Sequence, residues 1–144
     1  MTLYPDSSFL VSCYIPDANT VHAQTYLNSA QAPLVFTALH ALEVRNAFQL
    51  GVFRGLFTAK DATSAWSNLE TDLRSGRLVK APVKWPVAFR VAAHLSESHS
   101  VKLGTRSLDI LHIASAKALR AAELLSFDTR QRSLAQLVGL AVGP

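Results

Sequence analysis

The run Ser107-Leu-Asp109-Ile-Leu-His-Ile-Ala-Ser-Ala116, leading into Glu123-Leu-Leu-Ser-Phe-Asp128-Thr129, constrains the fold more than any other stretch. Its apolar residues occupy nearly every face of a helix as far as Lys117, so that helix is buried, and only its first turn carries a carboxylate. The run from Glu123 to Phe127 then suits a short strand, with Asp128 at its end and Thr129 available to cap the helix that follows. In a parallel sheet with helices on its faces, helices begin and strands end along one edge, where such folds place their ligands. Asp109 and Asp128 are thereby aimed at one place.

The rest of the chain repeats this alternation. Leu3 and Tyr4 before Asp6-Ser7-Ser8 read as a strand entering a helix cap, with Pro5, which has no ladder donor, at the strand's last position. A short helix follows to Ile15 and ends at Pro16-Asp17; a second spans Val21 to Ala30, broken by Gln31-Ala-Pro33. Leu34-Val-Phe36 is a strand, and Thr37 can cap a helix from Ala38 to Phe53, with Leu39, Leu42 and Asn46 on one stripe and Glu43 on the next. Gly55 stops it. A helix from Ala59 to Leu73 carries Ala62, Ala65, Trp66 and Leu69 at core spacing, and Ser75-Gly76 turns into a strand from Arg77 to Ala81. After Pro82-Val-Lys-Trp-Pro86, a helix from Val87 is predicted to end near Ser98 in polar sequence; beyond Asp128 a helix from Thr129 to Val138 and a strand, Leu140-Ala-Val142, close the chain. Strands separated by helices predict an α/β fold, a three-layer α/β/α sandwich with a central parallel sheet of four to five short strands, formed as one domain over residues 1–144.

Composition narrows the function. With 49% hydrophobic and 17% charged residues the chain is globular and outside the disordered class. Fourteen basic residues against ten acidic ones, a net charge of +4, favour a polyanionic partner. Cys13 is the only cysteine, which excludes an intrachain disulfide or a thiolate zinc cluster and fits a reducing, cytoplasmic setting. No export or membrane segment is expected, since no stretch approaches the roughly 18 uncharged apolar residues of a span.

Each acid on the predicted edge also has a structural account. Asp6 can cap its helix, although Ser7 or Ser8 can do so instead and leave the carboxylate facing the cleft. Glu43 sits in a segment suited to burial on most sides, and an ionised carboxylate there needs a partner: Arg45, Arg74 or water on the structural account, a metal on the functional one. Asp109 is favoured by the helix dipole and can pair with Arg106. Taken together the four are harder to explain, because they share one edge in a chain with only ten acids. Carboxylates converging without matching cations repel one another unless a cation is bound, and hard oxygens suit Mg²⁺ or Mn²⁺. A metal so held can activate water for attack on a phosphodiester.

The motifs Tyr4-Pro-Asp6-Ser-Ser-Phe-Leu, Ala41-Leu-Glu43-Val-Arg-Asn-Ala, Arg106-Ser-Leu-Asp109-Ile-Leu-His-Ile-Ala-Ser-Ala and Ser126-Phe-Asp128 resemble, in order and spacing, those of PIN domains, and most closely the VapC-type toxin ribonucleases. The resemblance implies that Asp6, Glu43, Asp109 and Asp128 are the catalytic, metal-holding acids, with Ser7 and Ser126 as small hydroxyl residues beside the metal. It further implies an Mg²⁺- or Mn²⁺-dependent endoribonuclease that inhibits translation or growth, commonly a homodimer, held inactive by a cognate VapB-type antitoxin. A PIN nuclease of RNA maturation shares that chemistry, and a non-catalytic RNA-binding domain would use the basic surface without the acids.

Other residues fit less chemistry. His112 lies one turn after Asp109, yet no second histidine has ligand spacing with it, so a hydrogen-bonded core histidine is expected, and His40 is read the same way. Arg106, Arg130 and Arg132 are candidates for RNA phosphate, and Trp66 and Trp85 are expected to pack. A haloacid-dehalogenase-type phosphotransferase would need an acid at position 8, which is serine, and a phospho-receiver would need an acidic pair near the first strand.

Overall fold

A computed structural model describes residues 1–144. The chain runs β1 (Leu3–Pro5), α1 (Ser7–Tyr14), α2 (Thr20–Ala30), β2 (Leu34–Phe36), α3 (Ala38–Phe53) and α4 (Ala59–Ser75), then β3 (Leu78–Lys80), α5 (Trp85–Leu103), α6 (Ser107–Ala118), β4 (Glu123–Leu125), α7 (Thr129–Leu137) and β5 (Ala141–Gly143). The five strands form one parallel sheet in the order β3-β2-β1-β4-β5. The chain winds outward one way from β1 to β3, then crosses back to β4, so the switch in winding direction falls between β1 and β4. That gap is where open α/β sheets leave a crevice beyond the strand ends.

Side chains alternate across the strands and divide the core in two. Leu3, Leu34, Phe36, Leu78 and Leu125 pack with Phe9 and Leu10 of α1, Val44 and Phe48 of α3 and Leu69 of α4. Tyr4, Val35 and Leu124 face the other way, onto Ala88 and Ala92 of α5, Ile110 and Ile113 of α6 and Leu134 of α7. The expected α/β/α sandwich is therefore present, with five strands.

Pro5 lies in the central strand, in register with Leu125. The place is tolerable because alternate residues send their amides to the same neighbour. Leu3 donates toward β2, to the Pro33 carbonyl at 3.0 Å, so the amide Pro5 lacks would also face β2, where registered pairing is confined to Leu3 and Leu34. The Pro5 carbonyl instead accepts from Nε2 of His40 at 2.7 Å.

Several local expectations are corrected. The helix expected to stop near Ser98 runs on to Leu103, because Ala88, Ala92, Leu95 and Leu103 continue one inward stripe while Glu97 and Ser98 lie on the outside; Gly104, at φ +63°, ends it. It also begins earlier, at Trp85, with Pro86 in the first turn where a missing N–H costs nothing. β4 ends at Leu125, so Ser126 and Phe127 belong to the turn that aims Asp128. In α3 the inward residues are His40, Val44 and Phe48, and the stripe of Leu39, Leu42 and Asn46 faces largely outward. Thr37 does cap α3, and His40 completes the capping box by accepting from the Thr37 amide.

Candidate active site

Beyond the ends of β1 and β4 lies a cleft of about 360 Å³ that gathers Asp6, Glu43 and Asp109. Ser7, Ser8 and Ser107 supply hydroxyls, Arg106 and Leu108 stand with them, and His112 lies at the buried side. One apolar residue among nine makes this a site for a polar, charged ligand.

Asp6 arrives from β1 and is only 4% exposed. Its Oδ1 accepts from the Phe9 amide at 2.7 Å, so Asp6 itself caps α1, and neither Ser7 nor Ser8 takes that role. Ser7 is otherwise engaged, donating to Glu43 Oε1 at 2.9 Å. Burial raises the Asp6 pKa above the ordinary aspartate value; the Ser126 hydroxyl, the Phe9 amide and His112 offset part of this, while Asp109 adds to it.

Glu43 enters from α3, half-buried. Its partner is none of the arginines expected: Arg45 lies 3.9 Å over the Trp66 ring, and Glu43 Oε1 meets His112 Nε2 at 2.5 Å. Burial pushes its pKa up, but hydrogen bonds from His112 and Ser7 outweigh it and hold Glu43 below the usual glutamate value. Oε2 makes no hydrogen bond to the protein.

Asp109 sits in the first turn of α6 and pairs through Oδ2 with Nε of Arg106 at 2.8 Å, the structural partner anticipated for it. The pair also raises the Arg106 pKa, with smaller contributions from Asp128 and Asp6. Because the Arg106 side chain is 76% exposed, solvent screens the pair, and Arg106→Ala is expected to change stability by less than about 1 kcal/mol in urea denaturation. A larger loss would make Arg106 a structural clamp.

Asp128 stands apart from the cleft lining. It caps α7, its Oδ1 accepting from the Gln131 amide at 2.8 Å, in the place foreseen for Thr129. It remains on the same edge: the buried Ser126 hydroxyl accepts from the Asp128 amide at 3.1 Å and lowers the pKa of Asp6. Gln131 ties α7 to α6 by donating to the Asp109 carbonyl at 3.2 Å. Arg130 is exposed in the first turn of α7, whereas Arg132 is occupied, donating to the carbonyls of Ser126 and Pro144.

The two buried histidines are hydrogen-bonded, as expected. His40 spans the Pro5 carbonyl and the Thr37 amide. His112 has a further position that residue pattern did not reveal: it lines the cleft and holds Glu43, while its Nδ1 lies 3.0 Å from the Tyr4 hydroxyl. The available signal was its spacing of one turn from Asp109.

The donors are of the type that a hard divalent cation takes: carboxylate oxygens, several without a protein partner, beside hydroxyls. They fit such an ion in chemistry. No three ligand-type side chains meet at a single point, and each acid in the cleft has one oxygen engaged by a protein partner.

Fold and cleft together define a small parallel α/β protein with an acid-lined crevice at its switch point. The chain belongs to the PIN domain family, whose profile matches residues 3–137. Among curated proteins there is no significant sequence match. Solved structures share the fold. VapBC2 of Rickettsia felis, crystallised with a DNA fragment from its promoter, superposes with a TM-score of 0.68 at 13% identity, covering 99% of this chain and 98% of that one. VapC20 of Mycobacterium tuberculosis, described as a sarcin-ricin loop cleaving toxin, gives 0.66 at 15%, covering 96% of each chain. FitAcB of Neisseria gonorrhoeae gives 0.61 at 19%, covering 100% and 97%. At these identities the likeness is one of fold.

Proposed function

We propose that this protein, acting as one domain over residues 1–144, is an endoribonuclease that depends on Mg²⁺ or Mn²⁺ and serves as the toxin of a toxin–antitoxin pair. The observation that carries the reading is the convergence of Asp6, Glu43 and Asp109 in one cleft, with Asp128 on the same edge, in a PIN-family chain of net positive charge. The toxin setting is supported by the kinds of protein that share its fold.

On this reading Asp6, Asp109, Glu43 and Asp128 hold the cation. Bound there, Mg²⁺ or Mn²⁺ would supply a polarised water and neutralise charge developing on the phosphodiester. Asp6, rigidly capped and desolvated, is the fixed ligand. Ser7 holds Glu43 in place, and Ser126 favours the ionised form of Asp6. Arg106 and Arg130, both exposed, receive the RNA backbone, and the pairing of Arg106 with Asp109 Oδ2 leaves Oδ1 free of a protein partner. A homodimer and a VapB-type antitoxin complete the proposal; exposed Leu42 and Phe53 on α3 and Phe89 on α5 offer apolar surface for such contacts. A cytoplasmic site of action fits the lone cysteine, and no helix is long and apolar enough to cross a membrane.

The deciding experiment incubates total bacterial RNA with purified protein in Mg²⁺, in Mn²⁺ and in chelator. Defined fragments that appear with metal and vanish with chelator are expected. RNA that binds yet stays intact under every metal would defeat the reading.

A further inference from the structure

We infer that His112, oriented by Tyr4, is a positioning residue that fixes Glu43 with one oxygen tied to the protein and the other presented to the cleft. The inference rests on the proposed metal-dependent reading and adds two residues to it.

Tyr4 and His112 are almost wholly buried, at 0% and 1% exposure, in positions where apolar side chains would pack at no polar cost. Their polar atoms form one line. The Tyr4 hydroxyl is 3.0 Å from His112 Nδ1, and His112 Nε2 is 2.5 Å from Glu43 Oε1. A carboxylate only accepts, so Nε2 carries the hydrogen; in the neutral ring Nδ1 then accepts, and the Tyr4 O–H donates into it. Burial pushes the Tyr4 hydroxyl far above its ordinary pKa, so it keeps that proton. Every donor in the line therefore points toward Glu43.

Ser7 donates to the same Oε1 at 2.9 Å, which leaves Oε2 without a protein partner. An unrestrained glutamate turns about three bonds, whereas two donors on one oxygen set the plane of this carboxylate. His40, whose ring centre is 5.0 Å from that of His112, has both nitrogens committed to Pro5 and Thr37 and does not compete. Ligating carboxylates are commonly oriented in this way by a buried hydrogen bond, and loss of such a partner typically weakens metal affinity by roughly 10–100-fold.

The test is Mn²⁺ binding by calorimetry, without RNA, on the wild type, Glu43→Gln, His112→Leu, His112→Gln and Tyr4→Phe. His112→Leu keeps the bulk and removes the donor, and should weaken binding by roughly 10–100-fold. His112→Gln restores an N–H near the Nε2 position and should recover most of the loss, which a purely packing role would not allow. Folded His112→Leu with wild-type affinity, or a loss that glutamine fails to recover, would overturn the inference. Should His112→Leu not fold, Tyr4→Phe decides, since it removes one oxygen from the line: weaker binding supports the inference and unchanged binding overturns it. Failure of the metal reading is separately visible, as a wild type that binds no Mn²⁺ and is indifferent to Glu43→Gln; that result removes the inference with it.

Discussion

Asp6→Asn is expected to abolish metal-dependent RNA cleavage while raising the melting temperature of the metal-free protein. Asparagine is as good an N-cap as aspartate, and its side-chain oxygen can still accept from the Phe9 amide, so α1 keeps its cap. What is lost is a negative charge at the end of the central strand. If that charge holds the cation, cleavage should fall by roughly two orders of magnitude or more, the scale seen when one group that stabilises developing charge is removed.

The stability half of the result follows from the direction of the Asp6 pKa. Burial lifts it above the unfolded value of 3.8, so above pH 3.8 the folded state binds more proton than the unfolded one. Stability from this group is therefore present at low pH and lost as pH rises through the folded pKa, and at neutral pH the desolvated carboxyl group is a net cost. Asparagine removes the cost. Each kcal/mol recovered raises the melting temperature by roughly 2–4 °C for a chain of about this length. Unchanged cleavage would remove Asp6 from the site. A clear fall in melting temperature would mean that Asp6 is stabilised as a paired ion.

That result is foreseeable from sequence because an acid embedded in apolar sequence is conspicuous. Asp6, Glu43 and Asp109 each interrupt such a run at a strand end, in a helix or at a helix start, and the regular alternation of elements places those points on one edge. Three kinds of detail are not legible there. Where several capping residues are adjacent, as in Asp6-Ser7-Ser8 and Asp128-Thr129, the choice among them depends on tertiary partners: Ser7 turns to Glu43, which leaves the cap to Asp6. The length of α5 was underestimated because polar residues on the outward face of a long helix look locally like a loop; the inward stripe, read past them to Leu103, decides. The partner of Glu43 was missed for a similar reason. His112 lies 69 residues away, and only the tertiary fold brings its ring to that carboxylate.

The second large effect is loss of stability in acid, carried by His40. Its ring is fully buried, with Nε2–H donating to the Pro5 carbonyl at 2.7 Å and Nδ1 accepting from the Thr37 amide at 2.9 Å. A second proton would have to sit on Nδ1, facing an N–H. Burial, helped by the neighbouring His112 and opposed by the Pro5 carbonyl, pushes the pKa from 6.5 down to about 3. Between those values the unfolded chain takes up a proton that the folded chain refuses, so stability is full above about pH 6.5 and falls as pH drops, with a slope approaching 1.36 kcal/mol per unit. From pH 6 to pH 4 this amounts to roughly 2.5 kcal/mol, a large share of the 5–15 kcal/mol typical of a domain. Asp6 contributes in the opposite sense over part of this range, so the slope should be steeper in the Asp6→Asn background; Glu43, with its lowered pKa, adds acid sensitivity mainly below pH 4.5. His40→Gln keeps a capping-box residue at the third helical position and cannot titrate. Its stability at pH 7 falls through lost ring packing against Tyr4 and Phe36, but urea titrations between pH 6 and pH 4 should show a flatter dependence than the wild type. Equal slopes in the two proteins would mean that His40 takes up its proton in the folded state as readily as in the unfolded chain.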